Sequence, residues 1–161
     1  MTRESKIDVV DLLRDEWTNP NTALNSTGGK AVFPDYPRID LKYASYPRIS
    51  IIETNSNSEW MGIGSKNKKT TAVLEIGIWV KEANEKDQLI KIDNVVYSEE
   101  KLVDHIKSTV LNILQNKWAT MDAEDYLDYR KISEGEILFD IDRKSYFKPV
   151  TIELDYIQRE E

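Results

Sequence analysis

Lys69-Thr70-Thr71-Ala72-Val73-Leu74-Glu75-Ile76-Gly77-Ile78-Trp79-Val80-Lys81 is the longest alternating run in the chain, and its reading decides the fold. Ala72, Leu74, Ile76, Ile78 and Val80 share one face; Thr71, Val73, Glu75, Gly77, Trp79 and Lys81 share the other. Successive side chains of a strand point to opposite sides, so the spacing predicts one long strand with a wholly aliphatic face. Such a face has to be backed by a second layer. Just upstream, Arg48 to Thr54 reads as another strand, with Ile49 and Ile51 alternating against Ser50. The two form a hairpin whose polar, glycine-containing tip is placed at 55–68 and carries the isolated pair Trp60-Met61. That pair is either a partner contact or a fold-back onto the sheet.

The backing layer is supplied by helices. Ile7, Val10, Leu13 and Trp17 recur at helical spacing after Ser5, with Asp8, Asp11, Arg14 and Asp15 on the opposite face. Asn19-Pro20-Asn21 stops that helix, because proline lacks the amide donor and clashes with the preceding turn. A second helix runs from Ser98 to Trp118. Ser98 stands at its N-cap, Glu99 and Glu100 occupy the first turn, and Leu102, Ile106, Val110, Ile113 and Leu114 form an apolar stripe.

Downstream of it, Leu127 to Ile132 is a weak strand candidate. Ile137, Phe139 and Ile141 alternate in a further strand, and Val150, Ile152, Leu154 and Tyr156 in the last. The expected class is α+β: an antiparallel sheet with two helices packed on one face, in the order α-β-β-α-β-β. At 161 residues the chain fits a single domain, 1–161, within the usual range of roughly 100–200.

Between the first helix and the hairpin lies a long irregular arm at 18–47. Structureless connections beyond roughly 12–15 residues are uncommon in a compact domain and usually act as arms, lids or binding loops. Phe33, Tyr36, Tyr43 and Tyr46, interleaved with Pro34, Pro37 and Pro47, predict a segment that orders against something, either a partner or its own domain. Trp79 and Val73 on the outer face of the long strand raise the same question. A tryptophan there needs cover, from the arm or from a neighbouring subunit.

Composition narrows the function. The chain has no cysteine, which excludes disulfides, thiolate metal sites and a cysteine nucleophile. The charged start Met1-Thr2-Arg3-Glu4-Ser5-Lys6 and the lack of any run near 18 apolar residues predict neither signal peptide nor membrane span. A net charge of −7 argues against specific nucleic-acid readout, which normally needs a basic surplus. The only basic cluster, Lys66, Lys68 and Lys69, reads as a solvated hairpin tip.

Each catalytic motif tested against the chain fails on a named residue. His105 is the only histidine and sits at the edge of the second helix's apolar stripe, with no partner in sequence to make it a general base. Counting a calcium loop from Asp122, through Glu124, Asp125 and Asp128, puts Leu127 where glycine is required and Ser133 where the bidentate glutamate belongs. The acidic residues are expected as a helix end followed by solvated charges. For a metal-dependent nuclease, Glu75 is followed at the needed offset by Gly77, and Glu153 by Asp155, so the lysine is missing. Gly62-Ile63-Gly64-Ser65-Lys66 has the wrong order for a phosphate loop and lies in a hairpin. No catalytic residue, cofactor or metal is expected.

The succession of elements resembles the tail-completion proteins of tailed viruses, the group of tail terminators and tail-to-head joining proteins. The likeness is carried by the helix from Ser5 to Trp17, the entry Tyr46-Pro47-Arg48-Ile49 and the long-tipped hairpin ending in Ala72 to Val80. The helix from Ser98 to Trp118 and the closing strand Val150 to Tyr156 complete it. It implies a homo-oligomeric ring, commonly a hexamer, that ends the tail tube and docks it to the head connector in the virion. DNA would slide through an acidic lumen. The resemblance carries no catalytic residues. Trp60, Met61, Val73, Trp79, Phe33, Tyr36, Tyr43 and Tyr46 are the expected interface, and Lys66, Lys68 and Lys69 the loop contacts. The alternative is a non-enzymatic binding or assembly module working as a monomer or dimer.

Overall fold

A computed structural model describes residues 5–17, 32–39, 46–62, 67–82, 90–92, 95–121 and 125–159. The elements are α1 (Ser5–Trp17), β1 (Val32–Phe33), β2 (Arg48–Trp60), β3 (Asn67–Lys81), β4 (Ile90–Ile92), β5 (Val95–Tyr97), α2 (Glu99–Lys117), β6 (Asp125–Glu134), β7 (Leu138–Asp140) and β8 (Ser145–Arg159), with a 3-10 turn at Trp118–Thr120.

β3 is the spine of the sheet, as its alternation demands. On one side it pairs antiparallel with β2, from Arg48 opposite Trp79 to Trp60 opposite Lys68. On the other it pairs along its whole length with β8, from Asn67 opposite Arg159 to Lys81 opposite Ser145. The order across the sheet is β1-β2-β3-β8-β6, and β7 occupies the same edge of β8 as β6. β4 and β5 form a separate two-stranded hairpin.

The α+β class holds, but the order along the chain is α-β-β-β-β-β-α-β-β-β and not the expected α-β-β-α-β-β, and three further details differ from the sequence expectation. The sheet is mixed and not purely antiparallel, because Val32 and Phe33 run parallel to Ile49 and Ser50 within the segment expected to be irregular. The hairpin is longer than read: β2 continues past Thr54 to Trp60 and β3 begins at Asn67, so most of the stretch placed in the tip is strand. Met61 N donates to Asn67 O at 3.1 Å and closes it. Polar residues mask a strand when both its faces meet water, and β2 from Glu53 to Trp60 is exposed throughout. Lastly, Leu127 to Ile132 belongs to a ten-residue strand that takes in Asp125 and Asp128, so these acids lie on a sheet edge and not at a helix end.

The core lies between the inner face of the sheet and both helices. Val9, Val10 and Leu13 of α1 join Leu102, Val103, Ile106, Val110, Ile113 and Leu114 of α2 against Leu74, Ile76, Ile78 and Val80 of β3 and Val150, Ile152 and Leu154 of β8. Burying each large aliphatic side chain contributes about 1.5–3 kcal/mol. Asp8, expected on the solvent side of α1, is buried instead, and its carboxylate accepts a hydrogen bond from the Tyr126 hydroxyl of β6. An ion pair between Lys117 and Glu16 ties α2 to α1. Ser98 caps α2 through its carbonyl alone, which accepts from Leu102 N at 3.2 Å.

β6 and β7 share one edge of β8 because the chain crosses between them at Gly135. Its N–H donates to Pro149 O at 2.8 Å, and a Cβ there would lie 2.5 Å from Pro149 Cγ.

Candidate assembly surfaces

The outer face of the sheet carries the tryptophan that raised the question of cover. Trp79 is 3 % exposed, and of the two covers expected for it the chain's own arm supplies one. Its indole stacks on Phe147 of β8 with ring centroids 4.2 Å apart, and Nε1–H donates to Ser50 Oγ at 3.0 Å. Tyr36 from the arm closes over both rings edge-on, at 6.0 Å from Trp79 and 6.4 Å from Phe147. The Tyr36 hydroxyl donates to Glu75 Oε1 at 2.7 Å, and burial together with that bond pushes its phenol up to about 12. Gly77 makes this possible: a Cβ there would meet Ser50 Oγ at 2.5 Å and Phe147 Cε2 at 2.6 Å.

Arg143, in the turn after β7, locks the arm down. Its Nε donates to Pro37 O at 2.8 Å, its Nη1 pairs with Asp140 at 2.7 Å, and its guanidinium lies 5.2 Å from the Trp79 ring. Burial alone would raise the Asp140 carboxyl, but the bonds from Arg143 outweigh it and hold the group below its ordinary value. Further along, Arg48 is buried with its guanidinium 4.0 Å from the centroid of Phe33, and burial lowers its pKa. Arg14 reaches the same segment, donating from Nε to Val32 O at 2.8 Å. Tyr46 is buried beneath Lys81 Nζ, 4.8 Å from its ring centroid.

Of the eight expected interface residues, then, Phe33, Tyr36, Tyr46 and Trp79 engage the chain's own sheet. Between the two readings of the arm, its residues 32–38 fold back over the domain. Val73 is half-buried on the outer face of β3. Tyr43 and Lys66 lie outside the described residues, as do Asp122 and Glu124.

Trp60 and Met61 behave differently. They end the β2–β3 hairpin and remain 56 % and 53 % exposed. Lys68, directly across from Trp60 in the ladder, places its ammonium 4.4 Å from the indole centroid. Lys69, opposite Glu59, is exposed.

A second exposed apolar set stands at the other end of the sheet and was missed from sequence. Leu138 and Phe139 precede Asp140 and Ile141 follows it, Ile39 follows the arm residues over Trp79, and Tyr36 is only part covered. Ile141 reaches 78 % exposure. The available signal was Ile141 within the polar turn Asp140 to Ser145, a place with no core to enter. The alternation with Ile137 and Phe139 instead predicts that Ile141 belongs to a strand. β7 spans only Leu138–Asp140, which leaves Ile141 in the turn.

Between α2 and β6 runs a shallow groove of about 570 Å³ that includes Lys107, Leu111, Tyr129 and Lys131. Burial pushes the Tyr129 phenol up to about 12. Lys107 and Lys131 both approach Glu134, at 3.6 Å and 3.3 Å. His105 is half-buried on α2, and burial lowers its pKa. Among the described residues, no group of three or more His, Asp or Glu side chains is placed to hold a metal ion. No described helix is long and apolar enough to cross a membrane.

No protein-family model matches the chain, and no curated protein matches its sequence.

Proposed function

We propose that this chain is a non-enzymatic assembly subunit: a structural protein of a tailed virion that forms a ring, with a hexamer favoured. The ring ends the tail tube and joins it to the head connector. The observation that carries the reading is the exposed Trp60-Met61 pair at the end of a hairpin whose outer strand is exposed from Glu53 onward. Isolated surface apolar residues are ordinary. A tryptophan and a methionine together at the tip of a projecting hairpin are a means of contact. The order of a first helix, a long hairpin, a second helix and closing strands also supports the reading, since it is what the resemblance to tail-completion proteins rests on. Fold analogy is a limited warrant for function, so the weight rests on the exposed surfaces.

Partners on this reading are further copies of the chain, the tail-tube protein and the head-connector protein, with DNA passing through the lumen. The reading frames on either side of this one test the assignment. Portal, capsid or tail-tube genes are expected there, and a setting of metabolic or regulatory genes would overturn the viral assignment.

A further inference from the structure

We infer that copies of this chain join head to tail, with Trp60 and Met61 at the hairpin tip of one copy seated on the apolar end formed by Tyr36, Ile39, Leu138 and Ile141 of the next. The inference rests on the ring reading and specifies its contact.

The two exposed apolar sets lie at opposite ends of one strand. β3 starts at Asn67 beside the tip and ends at Lys81 beside the turn that carries Ile141. Trp60 is level with Lys68, and Leu138 is level with Trp79 through Phe147, so at roughly 3.3 Å per residue these two stand roughly 35 Å apart along β3 and cannot cover each other within a chain. Each needs a partner, and a second copy offers the complementary set.

Pairing of like ends is less favourable. Among the described residues, the exposed and half-buried charges at the apolar end are Asp35, Glu82, Glu136, Asp140 and Asp142 against Arg38, Arg143 and Lys144, a surplus of acid. At the tip, among the described residues, half-buried Lys68 and exposed Lys69 face Glu59, a surplus of base. Tip-to-end contact therefore sets unlike charges together, whereas tip-to-tip and end-to-end contacts set like charges together.

Edge-to-edge joining of sheets is also guarded against. β2 presents Glu53, Asn55, Asn57 and Glu59 and is bulged between Glu53 and Asn55. β6 is bulged twice, between Tyr126 and Asp128 and between Lys131 and Ser133. Charges and bulges on edge strands oppose intermolecular pairing. Leu127 and Ile132 are also exposed, but they lie on the twice-bulged edge strand β6, which leaves the tip and the apolar end as the surfaces for self-association. A contact between two different patches is heterologous, and when its rotation closes it makes a ring.

Two exposed-site variants test this, Trp60→Asp and Ile141→Asp, with circular dichroism and melting used to show that each is folded. The wild type should form a large species by light scattering. Each variant alone should stay monomeric, with the concentration for half-assembly raised roughly 30-fold or more. Trp60→Phe should assemble. An equimolar mixture of the two aspartate variants should form a one-to-one dimer and stop, because only one intact tip and one intact end remain between them. If the wild type assembles and the single variants do too, or the mixture stays monomeric, the tip-to-end contact is wrong while the ring reading stands. A wild type that remains monomeric at high concentration overturns the ring reading itself.

Discussion

Gly77 shows how one residue on the long strand fixes the fate of its neighbours. Glycine inside a strand usually weakens it and often marks a close approach of other groups. Here the approach is Ser50 Oγ and the Phe147 ring, which occupy the space a Cβ would take and let Trp79 lie flat between them and Tyr36. Gly77→Ala should therefore cost about 1–3 kcal/mol in urea unfolding, the usual price of overpacking, and should weaken the near-ultraviolet signal of the stacked rings. A second residue-level expectation concerns the phenols. Tyr36 and Tyr129 are pushed up to about 12 from an ordinary 10.0, both chiefly by burial. A raised folded pKa means stability that is fully present below pH 10 and is lost as the pH climbs towards 12. Burial also raises Tyr46 and Tyr146, so spectrophotometric titration should show several delayed tyrosines, Tyr36 and Tyr129 among the last, with a parallel fall in melting temperature over that window. Tyrosines that all ionise near pH 10 would contradict the burial. Little of this was legible beforehand. The alternation placed Trp79 on the outer face correctly, but nothing local to Trp79 signals that Tyr36, from a distant arm, covers it.

At the scale of elements, legibility followed the strength of the period. The aliphatic face of β3 and the stripe of α2 are where the spacing put them, since Ala72, Leu74, Ile76, Ile78 and Val80 are all buried, as are Leu102, Ile106, Val110, Ile113 and Leu114. The extension of β2 to Trp60 was not legible. Glu53-Thr54-Asn55-Ser56-Asn57-Ser58-Glu59 has no apolar alternation, and its strand state comes from pairing with β3. The position of β8 between β3 and β6 is likewise a tertiary fact, because pairing of distant strands leaves no periodic mark in either. Such a sheet should open unevenly. Amide hydrogen exchange should be slowest in the middle of β3, paired on both sides and buried, and fastest along β2 beyond Glu53, which is paired with β3 alone among the described residues. Equal protection along both strands would show that β2 has a further partner in solution.

For the whole molecule, the covered and the open apolar surfaces lie in different places. The outer face near Trp79 is closed by the chain's own arm, which engages Phe33, Tyr46 and Trp79 within the chain and leaves Tyr36 part exposed. On the proposed reading the contact surfaces are the hairpin tip and the opposite end of the sheet, where large apolar side chains are exposed. That arrangement suits a subunit that repeats head to tail more than one that pairs by a twofold axis, because the two surfaces differ. The central claim is self-assembly, and the mass of the purified chain in solution tests it most directly. Sedimentation equilibrium over a wide concentration range should find a closed species near six times the 18.7 kDa of one chain, with no growth beyond it. A single 18.7 kDa species that persists at the highest concentration would contradict the account.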